Sequence, residues 1–305
     1  PRCIFHWKLS LSRSDINAQI GMSERDFERM PTGVADFDSI IKGGLPAGSV
    51  VLLLGDVSAG QLEFSLTSAA KIGMVMETPK SLEFLLGHAA KKGKLPESMH
   101  YITFSKSRED ILQEVGLSFN SDYYDSLCKN LKFKDFSEEY FMKSAVPMHW
   151  VGGESKKNGL FSDNTEKKGL LEQLTTFFDE NANNALIIVD SLTDLIVNDS
   201  IPFSDIVAVL KGMQRMAKKW KALIYFILTD DILDKKKQQM IIDSVDGVLA
   251  FEWSKYHHTS ARQRYMYVEK FMSVLPHLDQ ARISRFATLV TYQSGFIVID
   301  TERVG

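Results

Sequence analysis

The chain has 305 residues, 44% of them apolar and 25% charged, with 36 basic against 39 acidic side chains for a net charge of −3. That length exceeds the roughly 100 to 200 residues of a common single domain but suits one large α/β domain with additions. The composition excludes a collagen-like or wholly disordered chain, and no run approaches the roughly 18 unbroken apolar residues of a membrane span. The charge balance supplies no global field toward nucleic acid or anionic lipid. Cys3 and Cys128 are too few for a disulfide scaffold or a four-thiolate zinc site, which suits a reducing cytoplasm.

The first stretch, Pro1 to Gly21, is mixed in character and lacks the apolar h-region of an export signal. It reads as an N-terminal arm or an upstream extension, residues 1–21, with the folded body over residues 22–305. From Val50 onward, short apolar runs alternate with amphipathic stretches, the pattern of a parallel sheet covered by helices. Strands are expected at Val50 to Leu54, His100 to Phe104, Leu131 to Phe136, Leu186 to Asp190 and Ala222 to Thr229. A helix is expected from Glu63 to Lys71. Further stripes recur at three- and four-residue steps through Leu170, Leu171, Leu174, Phe177 and Phe178, and through Ile206, Leu210, Met213, Ala217 and Trp220. Val151 to Lys168, rich in glycine and lysine, reads as a loop. The end of the chain changes period: Gly247 to Trp253, Tyr265 to Lys270, Leu289 to Tyr292 and Phe296 to Asp300 read as strands of an antiparallel extension, with Gln293-Ser294-Gly295 as one turn. No repeat of 20 to 50 residues, the sign of a tandem array, is present.

The first strand runs into Gly55-Asp56-Val57-Ser58-Ala59-Gly60-Gln61-Leu62 and then a helical stretch. The glycine spacing is that of a phosphate-binding loop, in which lysine and then serine or threonine follow the second glycine. Here Gln61 holds the lysine position and Leu62 the hydroxyl position. A lysine sets a cation against the outer phosphates and the hydroxyl ligates magnesium, so Gln61 keeps only a neutral donor and Leu62 keeps nothing. Replacing a charge-assisted bond of about 1.5 to 3 kcal/mol weakens nucleotide binding on the order of tenfold to a hundredfold. Asp56 adds a negative charge within the loop. Taken alone, a glycine-rich turn between strand and helix is also simply a turn.

The surrounding segments are more specific. Pro31-Thr32-Gly33 followed by Asp38, then Gly43-Gly44-Leu45-Pro46-Ala47-Gly48 leading into Val50 to Gly55, resembles the opening of the KaiC-like branch of the RecA superfamily of P-loop ATPases, in its archaeal single-domain form. Tyr101 to Phe104, Leu186 to Ser191 and Val245 to Val248 resemble that family's second strand, its Walker B strand and the turn into its late strands. The resemblance covers residues from about Met22 to the C-terminus. It implies a three-layer RecA-like fold, mostly parallel with antiparallel C-terminal strands. It also implies an ATP site at Gly55, Asp56, Val57, Ser58, Ala59, Gly60, Gln61, Leu62 and Asp190, and a ring of subunits.

Against the family pattern, the glutamate pair that follows the second strand is replaced by Ser105-Lys106, and a Lys-x-Arg finger by Lys270-Phe271-Met272. Asp190 stands where the metal-water carboxylate belongs, although a strand-end aspartate also serves as a helix cap or loop anchor. Cation, metal ligand and base are missing together, so the expectation is a non-hydrolysing regulatory or signalling scaffold with a protein partner and, at most, weak affinity for ATP. An ATP-binding ATPase or kinase is the alternative, and a recombinase-like DNA-binding protein a weaker one. Lys235-Lys236-Lys237, diluted by Asp230, Asp231 and Asp234, reads as a solvated loop rather than a DNA contact. Arg262, Arg264, Tyr265 and Tyr267 read as one exposed strand face, and His257-His258 lacks partners at metal-ligand spacing.

Overall fold

The computed structural model describes residues 28–152, 169–254, 262–281 and 283–303. The expected arm over residues 1–21, nearly all of the loop expected at Val151 to Lys168, and His257-His258 lie outside the described residues.

The strands in chain order are β1 (Arg29–Met30), β2 (Leu45–Pro46), β3 (Ser49–Gly55), β4 (Ser98–Thr103), β5 (Leu131–Asp135), β6 (Ala185–Asp190), β7 (Leu223–Thr229), β8 (Gly247–Trp253), β9 (Arg264–Phe271), β10 (Ile283–Thr291) and β11 (Gly295–Arg303). The helices are α1 (Ala35–Ile40), α2 (Gln61–Glu77), α3 (Leu82–Leu86), α4 (Arg108–Ser118), α5 (Ser121–Asn130), α6 (Ser137–Phe141), α7 (Leu170–Asn181), α8 (Leu192–Val197), α9 (Phe203–Trp220), α10 (Lys235–Asp243) and α11 (Leu275–Ala281). β1 and β2 form a small antiparallel ribbon, and the other nine strands form one sheet in the order β11-β10-β9-β8-β3-β7-β6-β4-β5. From β5 to β8 neighbouring strands are parallel, and from β8 to β11 they are antiparallel. β8 is thus the junction, parallel to β3 on one side and antiparallel to β9 on the other, rather than the first member of a wholly antiparallel extension.

The period of two in each central strand divides the core into two layers. Val51 and Leu53 of β3 face Phe64, Ala69 and Ile72 of α2 and Ile111 and Val115 of α4, while Val50, Leu52 and Leu54 face Leu174 and Phe178 of α7 and Ile206, Leu210 and Met213 of α9. Every residue of β3 is buried, which is why Val50 to Leu54 form an unbroken apolar run.

Elements that depend on capping were less visible as apolar periodicity. α4 begins with a capping box, Ser107 accepting from the Asp110 amide while the Asp110 carboxylate accepts from Ser107, and α5 begins with the Asn120 side chain accepting from the Tyr123 amide. Lys235-Lys236-Lys237 is the first turn of α10 rather than a loop, because the Asp234 side chain accepts from the Lys237 amide and starts the helix. The helix expected from Glu63 starts at Gln61 and continues to Glu77, and β10 begins at Ile283, well before Leu289.

Candidate functional site

Gly55 to Leu62 form the tight connection between the C-terminal end of β3 and the first turn of α2. In open α/β sheets that end of the strands is where ligands bind. The glycines are required by shape. A Cβ at Gly55 would lie 2.4 Å from the Phe251 carbonyl oxygen, and Gly60 has φ 125° with the Phe296 ring 2.9 Å from where its Cβ would be. Ser58 is in the left-handed region at φ 60°, and Val57 projects at the tip, 74% exposed.

Inside this turn the polar groups are already engaged with one another. The Gln61 side chain is only 6% exposed, and its Nε2 donates to the Asp56 carbonyl oxygen at 3.0 Å. The Ala59 amide donates to the same carbonyl at 3.1 Å. The Asp56 carboxylate is turned away from the turn's interior, accepting from the Trp253 amide at 3.1 Å, while the Trp253 indole donates to the Val57 carbonyl at 3.2 Å. Trp253, at the end of β8, is therefore a clamp on the turn. Its strand is legible in the sequence but the clamp is not, because the pairing of β8 with β3 that brings Trp253 to the turn is set by the fold. Leu62 packs against the core layer that contains α2.

Asp190 ends β6, and one strand, β7, lies between it and β3. Its carboxylate accepts from the Tyr101 hydroxyl at 2.7 Å. Burial pushes the Asp190 carboxyl above its ordinary range, against the Tyr101 bond and the Lys106 charge, which favour the ionised form. The cap of the following helix is Ser191, whose hydroxyl accepts from the Asp194 amide at 3.2 Å, so Asp190 is an anchor for Tyr101 rather than a helix cap.

Where the glutamate pair was expected to be replaced, Ser105 donates to Asp194 at 3.1 Å and the Lys106 ammonium lies 3.5 Å from Glu114. A cleft of about 380 Å³ opens beside the glycine turn, with Leu62, Leu66, Val115, Phe119 and Ile227 on its walls and Lys106, Glu114, Ser58 and Thr229 among its polar groups. The structure thus brings Ser58, Gln61, Leu62 and Lys106 to one cleft.

The other residues singled out in the sequence take structural positions. Lys270 donates to the carbonyls of Ile242 at 2.7 Å, Asp243 at 3.3 Å and Val245 at 2.7 Å, so its ammonium closes the C-terminal end of α10. Met272 is 92% exposed. The strand face of Arg264, Tyr265 and Tyr267 is less open than expected. Arg264 lies over the Trp253 ring, with its guanidinium 3.7 Å from Glu63, and Arg285 lies over Tyr265. Among the described residues no group of three or more His, Cys, Asp or Glu is arranged to hold a metal ion, and no helix is long and apolar enough to cross a membrane.

No family model matches the sequence, and no protein of curated function matches it. The fold, in contrast, matches solved structures over most of its length. A KaiC-like protein from the hyperthermophilic archaeon Pyrococcus horikoshii OT3 is similar at TM-score 0.58 and 16% identity, covering 90% of this chain and 100% of that one. The flagellar accessory protein FlaH from Methanocaldococcus jannaschii is similar at TM-score 0.56 and 18% identity, covering 88% of this chain and 99% of that one. The chain has the RecA-like architecture of the KaiC-like proteins, with a mostly parallel sheet and antiparallel C-terminal strands.

Proposed function

We propose that this chain is a KaiC-like member of the RecA superfamily that has given up nucleotide hydrolysis and acts as a regulatory or signalling scaffold in the cytoplasm. The observation that carries the reading is the inward Gln61 amide: where a phosphate-binding lysine would extend toward an anion, this side chain is folded onto the Asp56 carbonyl inside the turn. Three further features support it. Leu62 offers no oxygen to a metal, Lys106 stands in the region where a water-activating carboxylate would be needed, and the Asp190 carboxylate is held by Tyr101. The residues present do not fit a magnesium-bound triphosphate, and no catalytic step is derived through one.

What remains is the frame: the glycine turn, the sheet and the packed helices on both faces. A frame kept without its charge machinery suits a protein whose surfaces are its product, and one of the similar structures is itself called an accessory protein. Under this reading the partners are proteins, the 22–305 segment is the scaffold body, and a homo-oligomeric ring is the arrangement that the resemblance implies. The test is steady-state phosphate release by highly purified protein with ATP and magnesium. The reading expects none above a no-protein blank; release that disappears in Asp190→Ala would overturn it.

A further inference from the structure

A groove of about 640 Å³ runs along the junction of α9 and α10 and shares no lining residue with the cleft beside the glycine turn. Its apolar surface comes from Val207 and from Met240, the latter 42% exposed. Its cations are Lys211, Lys235 and Lys236, and its one acid is Asp243. Three positive charges less one negative leave +2 in the groove, on a chain whose overall charge is −3.

The cations of α9 and its C-cap are a mixed set: among the described residues no carboxylate lies within ion-pair distance of Arg215 or Lys219, whereas two others outside the groove are matched. Lys218 is matched by Asp246 at 2.7 Å and Lys221 by Glu28 at 3.0 Å. In the groove Lys211 is matched by Asp243 at 3.4 Å, but among the described residues no carboxylate lies within ion-pair distance of Lys235 or Lys236. Their placement also works against their own helix. They occupy the first turn of α10, which carries no acidic residue, and a cation at a helix N-terminus opposes the backbone dipole. The acid at this N-terminus is the Asp234 cap, whose side chain accepts from the Lys237 amide, which leaves Lys235 and Lys236 open to an external anion.

We propose that the α9–α10 groove docks a partner protein through an acidic segment with one or two apolar anchors, the anchors on Val207 and Met240 and the carboxylates on Lys235 and Lys236. The proposal rests on the scaffold reading, to which it supplies a partner surface. Charge complementarity and the apolar floor favour a peptide over nucleic acid. A duplex presents an unbroken row of phosphates that cannot avoid Asp243 inside the groove and Asp234 beside it, whereas a peptide can set its carboxylates on the lysines alone, and a duplex has no use for an exposed methionine.

The test uses the full chain and a fluorescein-labelled amphipathic peptide with glutamates on one face and leucines on the other, alongside its lysine-for-glutamate counterpart and a labelled DNA duplex. The groove predicts saturable binding of the acidic peptide only, weakened roughly tenfold or more by Lys235→Glu with Lys236→Glu and by Met240→Asp, and weakened by added salt. These positions are exposed, so unchanged melting of the variants separates a lost surface from a lost fold. Binding that the charge reversal leaves unaltered, absence of acidic-peptide binding, or binding of the duplex in its place overturns the proposal. Phosphate release by the wild type would sink the scaffold reading without altering the peptide result, and a null peptide result with no phosphate release would sink the groove alone.

Discussion

Giving the glycine turn the two side chains of a phosphate-binding loop, Gln61→Lys with Leu62→Thr, asks whether the turn has the shape of a phosphate cradle. The wild-type Gln61 amide packs so closely that it lies 2.7 Å from where a Gly55 Cβ would be, and it donates to Asp56 at 3.0 Å. An ammonium cannot be kept in that 6% exposed seat without a counter-charge, so the introduced lysine side chain would swing out toward the mouth and leave the Asp56 carbonyl to the Ala59 amide. A charge-assisted bond to phosphate is worth about 1.5 to 3 kcal/mol, which is roughly ten- to a hundredfold in affinity. The threonine hydroxyl introduced in place of Leu62 would add a metal ligand and make that binding depend on magnesium, at about 1 to 2 kcal/mol of stability for the lost apolar contact. Equilibrium binding of a fluorescent ATP analogue with and without magnesium reads both effects, and a thermal melt confirms the fold. Under the proposed reading turnover stays absent, because the double variant adds no water-activating carboxylate, and the acids of the cleft, Glu114 and Glu63, lie 3.5 Å from the Lys106 ammonium and 3.7 Å from the Arg264 guanidinium. No gain in affinity by a well-folded double variant would refute the reasoning, since the turn would then lack the geometry of a cradle.

Tyr101→Phe removes the donor to Asp190 from a buried site and should cost about 1.5 to 3 kcal/mol in chemical denaturation at neutral pH. Because the lost bond favours the ionised carboxyl, the Asp190 value should rise further and the penalty should shrink on acidification; a penalty that does not change with pH would contradict this. Asp38, fully buried, accepts from the Thr32 amide and hydroxyl and from the Gly33 amide, yet burial still pushes its carboxyl from 3.8 up to about 7. The folded state therefore holds its proton over that window while the unfolded chain has released it. The associated stability, about 4 kcal/mol at most, is present below the lower value and lost as pH rises through the upper one. Asp38→Asn should flatten that slope in denaturation series run across the window, and an unaltered slope would remove Asp38 as its source. Gly212 sits inside α9 with open space around its Cβ position, so Gly212→Ala should stabilise by about 0.5 to 1 kcal/mol, read as a small rise in melting temperature.

The central strands could be read from the sequence because full burial makes them continuous apolar runs: Val50 to Leu54 and Leu186 to Val189 have no polar residue to interrupt the signal. α9 was equally clear, since Ile206, Leu210, Met213 and Ala217 fall on one stripe. α10 was not. Only Ile241 and Ile242 of its nine residues are buried, and the cap that starts it, Asp234, follows Asp230 and Asp231 closely enough to read as part of a charge cluster. At the glycine turn the sequence supplied the residue types, and the fold supplied where they point. That Gln61 folds inward and that Asp56 turns to Trp253, 197 residues later, follows from β8 lying beside β3. The Tyr101–Asp190 bond spans 89 residues and depends on the β4–β6 pairing, which apolar periodicity alone cannot specify.

The most direct measurement is a calorimetric titration of the wild-type protein with ATP, run with magnesium and with a chelator. With Gln61 and Leu62 in the turn, the proposed reading predicts the same weak isotherm in the two conditions. Tight binding that requires magnesium, and that weakens when Asp190 is changed to asparagine, would contradict the account.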